Sequence, residues 1–106
     1  MTLVRHPSFI DLINDLNEKN LLILRAIQKS REKYVKDIYN KYLRYSSECH
    51  EKAFSYVYFY NNLSYLQSLG LILLVSTKVK RAYTNTISLT FNEKILDSIY
   101  TMRFER

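Results

Sequence analysis

Few residues in this chain have the types and spacing that chemistry requires. The single cysteine, Cys49, precedes His50, and the only other histidine is His6. A zinc site normally needs four ligands at set spacings, which these three residues do not supply. The chain also lacks a Ser/His/Asp set and a carboxylate pair beside a nucleophile, and its one glycine rules out a glycine-rich phosphate loop. We therefore expect no enzymatic activity, no cofactor and no metal.

The chemistry that the sequence favours is attraction to a polyanion. Sixteen Lys and Arg against ten Asp and Glu give a formal net charge of +6, which favours nucleic acid as a partner. A membrane surface or an acidic protein would be attracted by the same charge. No stretch is apolar for the roughly 18 residues of a transmembrane helix, no secretory signal is evident, and one cysteine suits a reducing compartment. These features predict a cytoplasmic, nucleoid-associated protein with no membrane or small-molecule partner.

Hydrophobic periodicity and capping residues predict the elements that must position the basic residues. Residues 8–16 and 17–29 predict one bent helix or two short ones. The elements predicted after them are a short extended segment at residues 34–35, a helix over 36–46, a helix over 54–69 that ends before Gly70, strands over 71–77 and 83–91 around a basic turn at 78–82, and a helix over 93–102.

This order of short elements predicts an α+β fold, a winged helix-turn-helix with a small antiparallel β-hairpin wing and extra terminal helices. Hydrophobic residues make up 47% of the chain, enough for one core. We expect a single domain over 1–106, with an N-terminal helical extension over 1–16, a winged-helix core over 17–91 and a C-terminal helix over 92–106.

One stretch resembles a known family. The segment Ser55-Tyr56-Val57-Tyr58-Phe59, followed by Asn62-Leu63, Leu66 and Leu69-Gly70-Leu71-Ile72, resembles the C-terminal winged-helix domain of archaeal origin-recognition (Orc/Cdc-type) replication initiators. Upstream, Lys33-Tyr34-Val35 with Ile38-Tyr39 and Tyr42 is similar to the family's preceding helix, and the basic wing with Ile87-Ser88-Leu89 also fits. The similarity covers about residues 17–96.

The resemblance implies origin binding, with the recognition helix in the major groove of double-stranded DNA and the wing on the adjacent minor groove or backbone. It also implies a partner ATPase domain on the N-terminal side, whose phosphate loop this chain does not contain. The family often has basic residues where this chain has Val57 and Tyr58, and its wing usually carries glycine where this chain has Val79 and Ala82.

Five cations are the expected phosphate contacts. Lys78, Lys80 and Arg81 lie at the predicted wing tip, where cations gain affinity by releasing counterions from DNA. A charged tip that merely prevents strand aggregation is the alternative. Lys36 lies on the first helix of the helix-turn-helix, which crosses the DNA backbone in such proteins, and Lys52 lies just before the recognition helix. Lys41 and Arg44 are expected to be solvated.

The presumed recognition helix has no charged residue between Ala53 and Leu69. Its expected outward positions are Val57, Tyr58, Asn61, Ser64, Tyr65 and Ser68. Among these, Asn61 suits an adenine edge, Ser64 either base type and Val57 a thymine methyl group. Tyr58 and Tyr65 suit donation to phosphate.

Two other functions remain open at the level of sequence. Tyrosine is common at protein interfaces, so the uncharged, tyrosine-rich face could hold a replication or transcription protein. In a dimeric transcriptional regulator, the terminal helices over 8–16 and 93–102 would instead pair across a two-fold axis.

Overall fold

The computed structural model describes residues 8–31 and 33–105. Its elements are α1 (Phe9–Asn14), α2 (Glu18–Lys29), α3 (Val35–Glu48), α4 (Tyr56–Ser68), β1 (Ile72–Val79), β2 (Ala82–Leu89) and α5 (Glu93–Phe104). The two strands form one antiparallel hairpin. The predicted α+β class is confirmed, and the element order is consistent with a winged helix. The first seven residues of the predicted N-terminal extension lie outside the described part of the chain.

Short polar side chains begin four of the five helices. Each accepts a hydrogen bond from a backbone N–H in the first turn, which would otherwise lack a partner. The four pairs are Ser8 with Asp11, Asn17 with Asn20, Ser55 with Tyr58, and Asn92 with Lys94, at 2.9–3.3 Å. The cap at Asn17 also explains why the first helical region is two helices and not one bent helix.

The start of α3 differs from the prediction. Only Tyr34 is extended, forming an isolated bridge with Thr86, and Val35 already belongs to α3. The bridge is supported by the amide of Ile87, which donates to the carbonyl of Lys33 at 2.7 Å. The segment before α3 therefore lies along the outer edge of β2 and covers part of it.

The turn of the hairpin is shorter than the sequence predicted, and β2 ends at Leu89 and not at the predicted residue 91. The predicted basic turn over 78–82 is wrong, because Val79 pairs with Ala82 and only Lys80 and Arg81 form the turn. Lys78 therefore lies on β1, opposite Tyr83. Strand pairing continued past the point at which the charged residues suggested a loop.

α2 is the centre of the core. Its residues Leu21–Leu24, Ala26 and Ile27 have no exposed surface, as expected of a helix that is apolar on nearly all sides. It packs against α3, α5 and β2. α4 contributes Phe59, Leu63 and Leu66 at helical spacing, and the hairpin contributes Ile72 and Ile87.

Polar contacts attach α5 to α2. Arg25 and Asp97 form an ion pair at 2.7 Å, and the amide of Gln28 donates to the same Asp97 oxygen at 2.8 Å. The hydrogen bond from Gln28 and then that from Arg25 lower the pKa of Asp97. The Arg25 guanidinium also lies 4.3 Å from the ring centre of Tyr100, a cation–π distance.

Gly70 ends α4 in a Schellman motif. The amide of Leu71 donates to the carbonyl of Leu66 and that of Gly70 to Gln67, at 3.1 and 2.9 Å, and Gly70 has a φ of 79°. An added Cβ would meet no atom within 4 Å, so the requirement for glycine comes from the backbone conformation alone.

We predict that Gly70→Ala lowers the free energy of unfolding by about 1 kcal/mol, because an L-residue is strained at positive φ. Urea denaturation followed by circular dichroism measures this change. Gly70→Asn is the matched control and should lose less, since asparagine tolerates this region better. An alanine variant as stable as the wild type would contradict the backbone explanation.

Candidate nucleic-acid interface

α4 presents an uncharged face to solvent. Phe59, Leu63 and Leu66 are buried on one side of the helix. The six positions expected to point outward are all exposed, and Val57 is 70% exposed. Those positions are Val57, Tyr58, Asn61, Ser64, Tyr65 and Ser68. The predicted orientation of α4 is therefore confirmed.

The turn between α3 and α4 is fixed at Phe54. The Tyr39 hydroxyl donates to the Phe54 carbonyl at 2.9 Å, and the Phe54 amide donates to the Tyr42 hydroxyl at 3.0 Å. We call these two bonds the Phe54 clamp. Tyr42 is fully buried, and burial raises the pKa of its hydroxyl, so it stays neutral. The clamp sets the position of Ser55, the N-cap of α4.

Aromatic packing reinforces the clamp. The Phe59 ring of α4 lies 5.0 Å from that of Tyr39 and 5.2 Å from that of Tyr42, and Tyr56 meets Tyr39 edge-on at 5.1 Å. These separations lie in the favourable range for aromatic pairs. Most of the tyrosine content of α3 therefore holds the helix pair together.

The hairpin is attached to α4 at its base and projects away at its tip. Gln67 Oε1 accepts from the amide of Leu74 at 2.7 Å, and Asn85 Nδ2 donates to the Tyr60 hydroxyl at 2.8 Å. Near the base of the hairpin, Ile87 is buried and lies opposite Leu74. Lys80 lies four strand positions beyond Ser76, the partner of Asn85, so the tip extends about 13 Å beyond this attachment.

The turn at the tip holds Lys80 in an unusual conformation. Lys80 has a φ of 59°, whereas Arg81 does not have positive φ, which is the pattern of a type II′ turn. Glycine is the usual residue at the first central position of such a turn. Lys80 and Arg81 are both exposed, so their charges lie at the far end of the hairpin.

Negative charge is excluded from α4 and the hairpin. Residues 52–92 contain no Asp or Glu and four cations, so they hold four of the six net positive charges of the chain. The cations are Lys52, Lys78, Lys80 and Arg81. This signal is readable in the sequence, but the overall net charge hides it. The same segment folds into the exposed face of α4 and the projecting hairpin, giving a surface of one charge sign.

Carboxylates approach this surface at one end of α4. Tyr58 and Asn62 share a polar groove with Glu18, Lys19 and Glu51. A phosphate near Tyr58 would meet these acidic groups, whereas Tyr65, two turns further along, is away from that groove. Of the two predicted tyrosine contacts, Tyr65 is therefore better placed to donate to phosphate.

The remaining predicted cations lie around the start of α4. Lys52 is exposed in the connection before the helix. Lys36 is also exposed and lies one turn before Tyr39, which contacts Tyr56 of α4. Both are therefore near α4. Lys41 differs from expectation, because it is half-buried and its ammonium donates to the carbonyl of Lys29 at 3.4 Å.

Cys49 lies away from this surface. Its sulfur is half-buried and lies 3.6 Å from the Tyr100 hydroxyl. Across residues 8–31 and 33–105, no three His, Cys, Asp or Glu side chains are grouped so as to hold a metal ion. In the same part of the chain, no helix has the length and apolar character needed to cross a bilayer.

A second surface lies between the terminal helices. α1 and α5 border an open, mainly apolar groove of about 380 Å³. Ile10 and Met102 line it and are 50% and 70% exposed. Within one chain α1 and α5 already pack against each other, so the groove is the part of these helices that a second copy would have to cover.

Comparison with known proteins gives a structural likeness. No family model and no curated protein matches the sequence. Among solved structures, the chain is similar to the Aeropyrum pernix ORC1 protein in complex with DNA, with a TM-score of 0.78 and 18% identity. The match covers 91% of this chain and 27% of that one, so the chain spans about a quarter of the length of this neighbour. At this identity the likeness shows the fold.

The Phe54 clamp makes a prediction about stability. In Tyr42→Phe the amide of Phe54 loses its acceptor, and we expect the free energy of unfolding to fall by about 1 kcal/mol or more. Tyr45→Phe, on the same helix, is the control, because no hydrogen bond of the Tyr45 hydroxyl is found among the described residues. Chemical denaturation compares the two variants, and equal stabilities would show that the clamp contributes nothing.

Proposed function

We propose that this chain binds double-stranded DNA through α4 and the hairpin and performs no chemistry of its own. One observation carries the proposal. A 41-residue stretch without acidic residues, 52–92, folds into an exposed neutral helix face beside a projecting cationic hairpin. DNA binding by a helix-turn-helix requires two parts. One is a helix face that enters a groove, and the other is a basic arm that contacts phosphates.

The proposed mechanism divides the work between the two parts. α4, about 10 Å across, lies in the major groove, which is about 12 Å wide. Lys80 and Arg81 at the hairpin tip reach phosphates about 13 Å beyond the attachment of the hairpin to α4. Lys36 and Lys52 contact the backbone near the start of α4, and Lys78 contributes positive charge along β1.

The comparison supports the finer part of the proposal. The ORC1 neighbour was solved with DNA. Because its fold is like that of this chain, we propose that the chain is the C-terminal winged-helix domain of an archaeal origin-recognition initiator. In that proposal residues 17–91 are the binding core, 1–16 and 92–106 are helical extensions of the same domain, and the protein acts in the cytoplasm at the nucleoid.

The salt dependence of binding tests this function. We expect the chain to bind random duplex DNA at low salt, and Lys80→Ala/Arg81→Ala to bind more weakly, with a log–log salt slope shallower by about 1 to 2, because each lost phosphate contact removes about 0.9 from the slope. Fluorescence anisotropy at several salt concentrations measures both quantities.

The matched control has the same net charge as the Lys80→Ala/Arg81→Ala variant. Arg31→Ala/Lys94→Ala removes the same two charges from exposed positions outside residues 52–92 and should leave the slope close to that of the wild type. Equal slopes in the two double variants would mean that the hairpin tip is not a phosphate-binding element. No binding at low salt would overturn the DNA function for this chain.

A second variant separates charge from fold at the tip. Lys80→Gly relieves the positive φ and should raise the free energy of unfolding by about 0.5–1 kcal/mol, while still weakening DNA binding. Thermal unfolding and anisotropy on the same samples measure the two effects. A glycine variant that binds as tightly as the wild type would show that the Lys80 side chain has no part in binding.

The exposed side chains of α4 favour one other candidate function. Val57, Tyr58 and Tyr65 are 70%, 55% and 49% exposed, an uncharged surface that also suits a replication or transcription protein. Failure to bind DNA at low salt would favour this candidate.

The last alternative is a dimeric regulator joined through the α1–α5 groove. It predicts a dimer in analytical sedimentation, and a monomer would exclude it.

A further inference from the structure

The amide side chains of α4 are not equivalent. Asn62 is half-buried, and its Nδ2 donates to the Tyr58 carbonyl at 2.8 Å. Gln67 is engaged with the amide of Leu74 on the hairpin. Asn61 is exposed, and within residues 8–31 and 33–105 its side chain makes no hydrogen bond. Both its donor and its acceptor are therefore available to a ligand in front of the helix.

The neighbours of Asn61 on this face complete a neutral stripe. Val57 lies one turn before it and Ser64 about one turn after it, and both are exposed. Four residues of helix rise about 6 Å, close to two base-pair steps of about 3.4 Å. Val57 and Asn61 therefore lie within reach of neighbouring or next-neighbouring base pairs, in the first two turns of the helix, which make most base contacts in helix-turn-helix proteins.

The types of side chain on this stripe match one kind of base pair. Arginine and lysine make the commonest specific contacts to guanine, and α4 has neither. The amide of asparagine pairs with N6 and N7 of adenine, and an aliphatic group contacts the thymine methyl. An unengaged asparagine beside a 70% exposed valine thus offers complementarity to A·T pairs and little to G·C pairs.

We propose that α4 selects A·T base pairs from the major groove, with Asn61 reading adenine and Val57 contacting the thymine methyl. This inference rests on the proposed function. It has a thermodynamic consequence, because a neutral stripe releases no counterions from DNA. Total affinity falls as salt is added, since the lysines and arginine bind phosphates, but the ratio of A·T to G·C affinity stays constant.

Duplexes of A·T, G·C or inosine·C pairs test the proposal. An inosine·C pair resembles A·T in the minor groove, where both lack the guanine amino group, and resembles G·C in the major groove. Anisotropy titrations with duplexes of about 20 base pairs, roughly two helical turns, are run across a salt series. We expect A·T duplexes to bind about fivefold or more tightly than the other two, the lower end of discrimination by a bidentate amide–adenine pair, with that ratio unchanged by salt.

Two matched variants assign the effect to a residue. Asn61→Ala should lose most of the preference and keep only the part that Val57 contributes through the thymine methyl, whereas Asn62→Ala, which changes the neighbouring asparagine, should keep the full preference. Replacing thymine with deoxyuridine should weaken the wild type and leave Val57→Ala unaffected.

Other outcomes would overturn the inference in distinguishable ways. If A·T and inosine·C duplexes bind equally and more tightly than G·C, selection comes from the minor groove and not from α4. If all three bind equally, the chain binds DNA without this readout, and the proposed function stands. If none binds at low salt, the proposed function fails along with the inference.

Discussion

The arrangement of this molecule depends on two tyrosine hydroxyls that bind the backbone of one residue. Phe54 lies in the connection between α3 and α4, where neither helix supplies backbone partners. Tyr39 and Tyr42 satisfy both its carbonyl and its amide, and their rings pack against Phe59 of α4. The angle and position of α4 follow from these contacts, and the hairpin is attached in turn to α4 through Gln67 and Tyr60. A local fault at Phe54 would therefore displace the whole proposed interface.

The charge distribution assigns different physical roles to the two parts of that interface. The cations lie on the hairpin and around the start of α4, where long-range attraction to phosphates governs encounter and overall affinity. The exposed face of α4 is neutral, so it acts only at contact distance. Substitutions in one part can therefore change its contribution to binding without changing that of the other, because the two contributions depend on different residues and different solution conditions.

The sequence predicted the local features and missed the nonlocal ones. Ser8, Asn17 and Asn92 act within one turn of themselves, and Gly70 acts at its own φ, so the starts of α1, α2 and α5 and the end of α4 were readable. α4 begins at Tyr56 and not at the predicted residue 54, because Ser55 is its N-cap. The turn at residues 78–82 was mispredicted because its length depends on pairing across the hairpin, where Val79 meets Ala82. The Phe54 clamp joins residues 12 and 15 positions apart, and the difference between Asn61 and Asn62 depends on hydrogen bonds and burial. Neither the clamp nor the difference between the two asparagines can be predicted from composition and periodicity.

The contacts of Arg103 determine how the fold would respond to mechanical force. Its guanidinium binds the carbonyls of Asn14 and Leu16 and the carboxylate of Glu18, so α5 is attached to the segment that joins α1 to α2. A pull applied through the two ends of the described chain would first load this contact and the adjoining α1–α5 packing. The helix pair and the hairpin lie outside that load path, so tension would separate the ends before it distorted the face of α4.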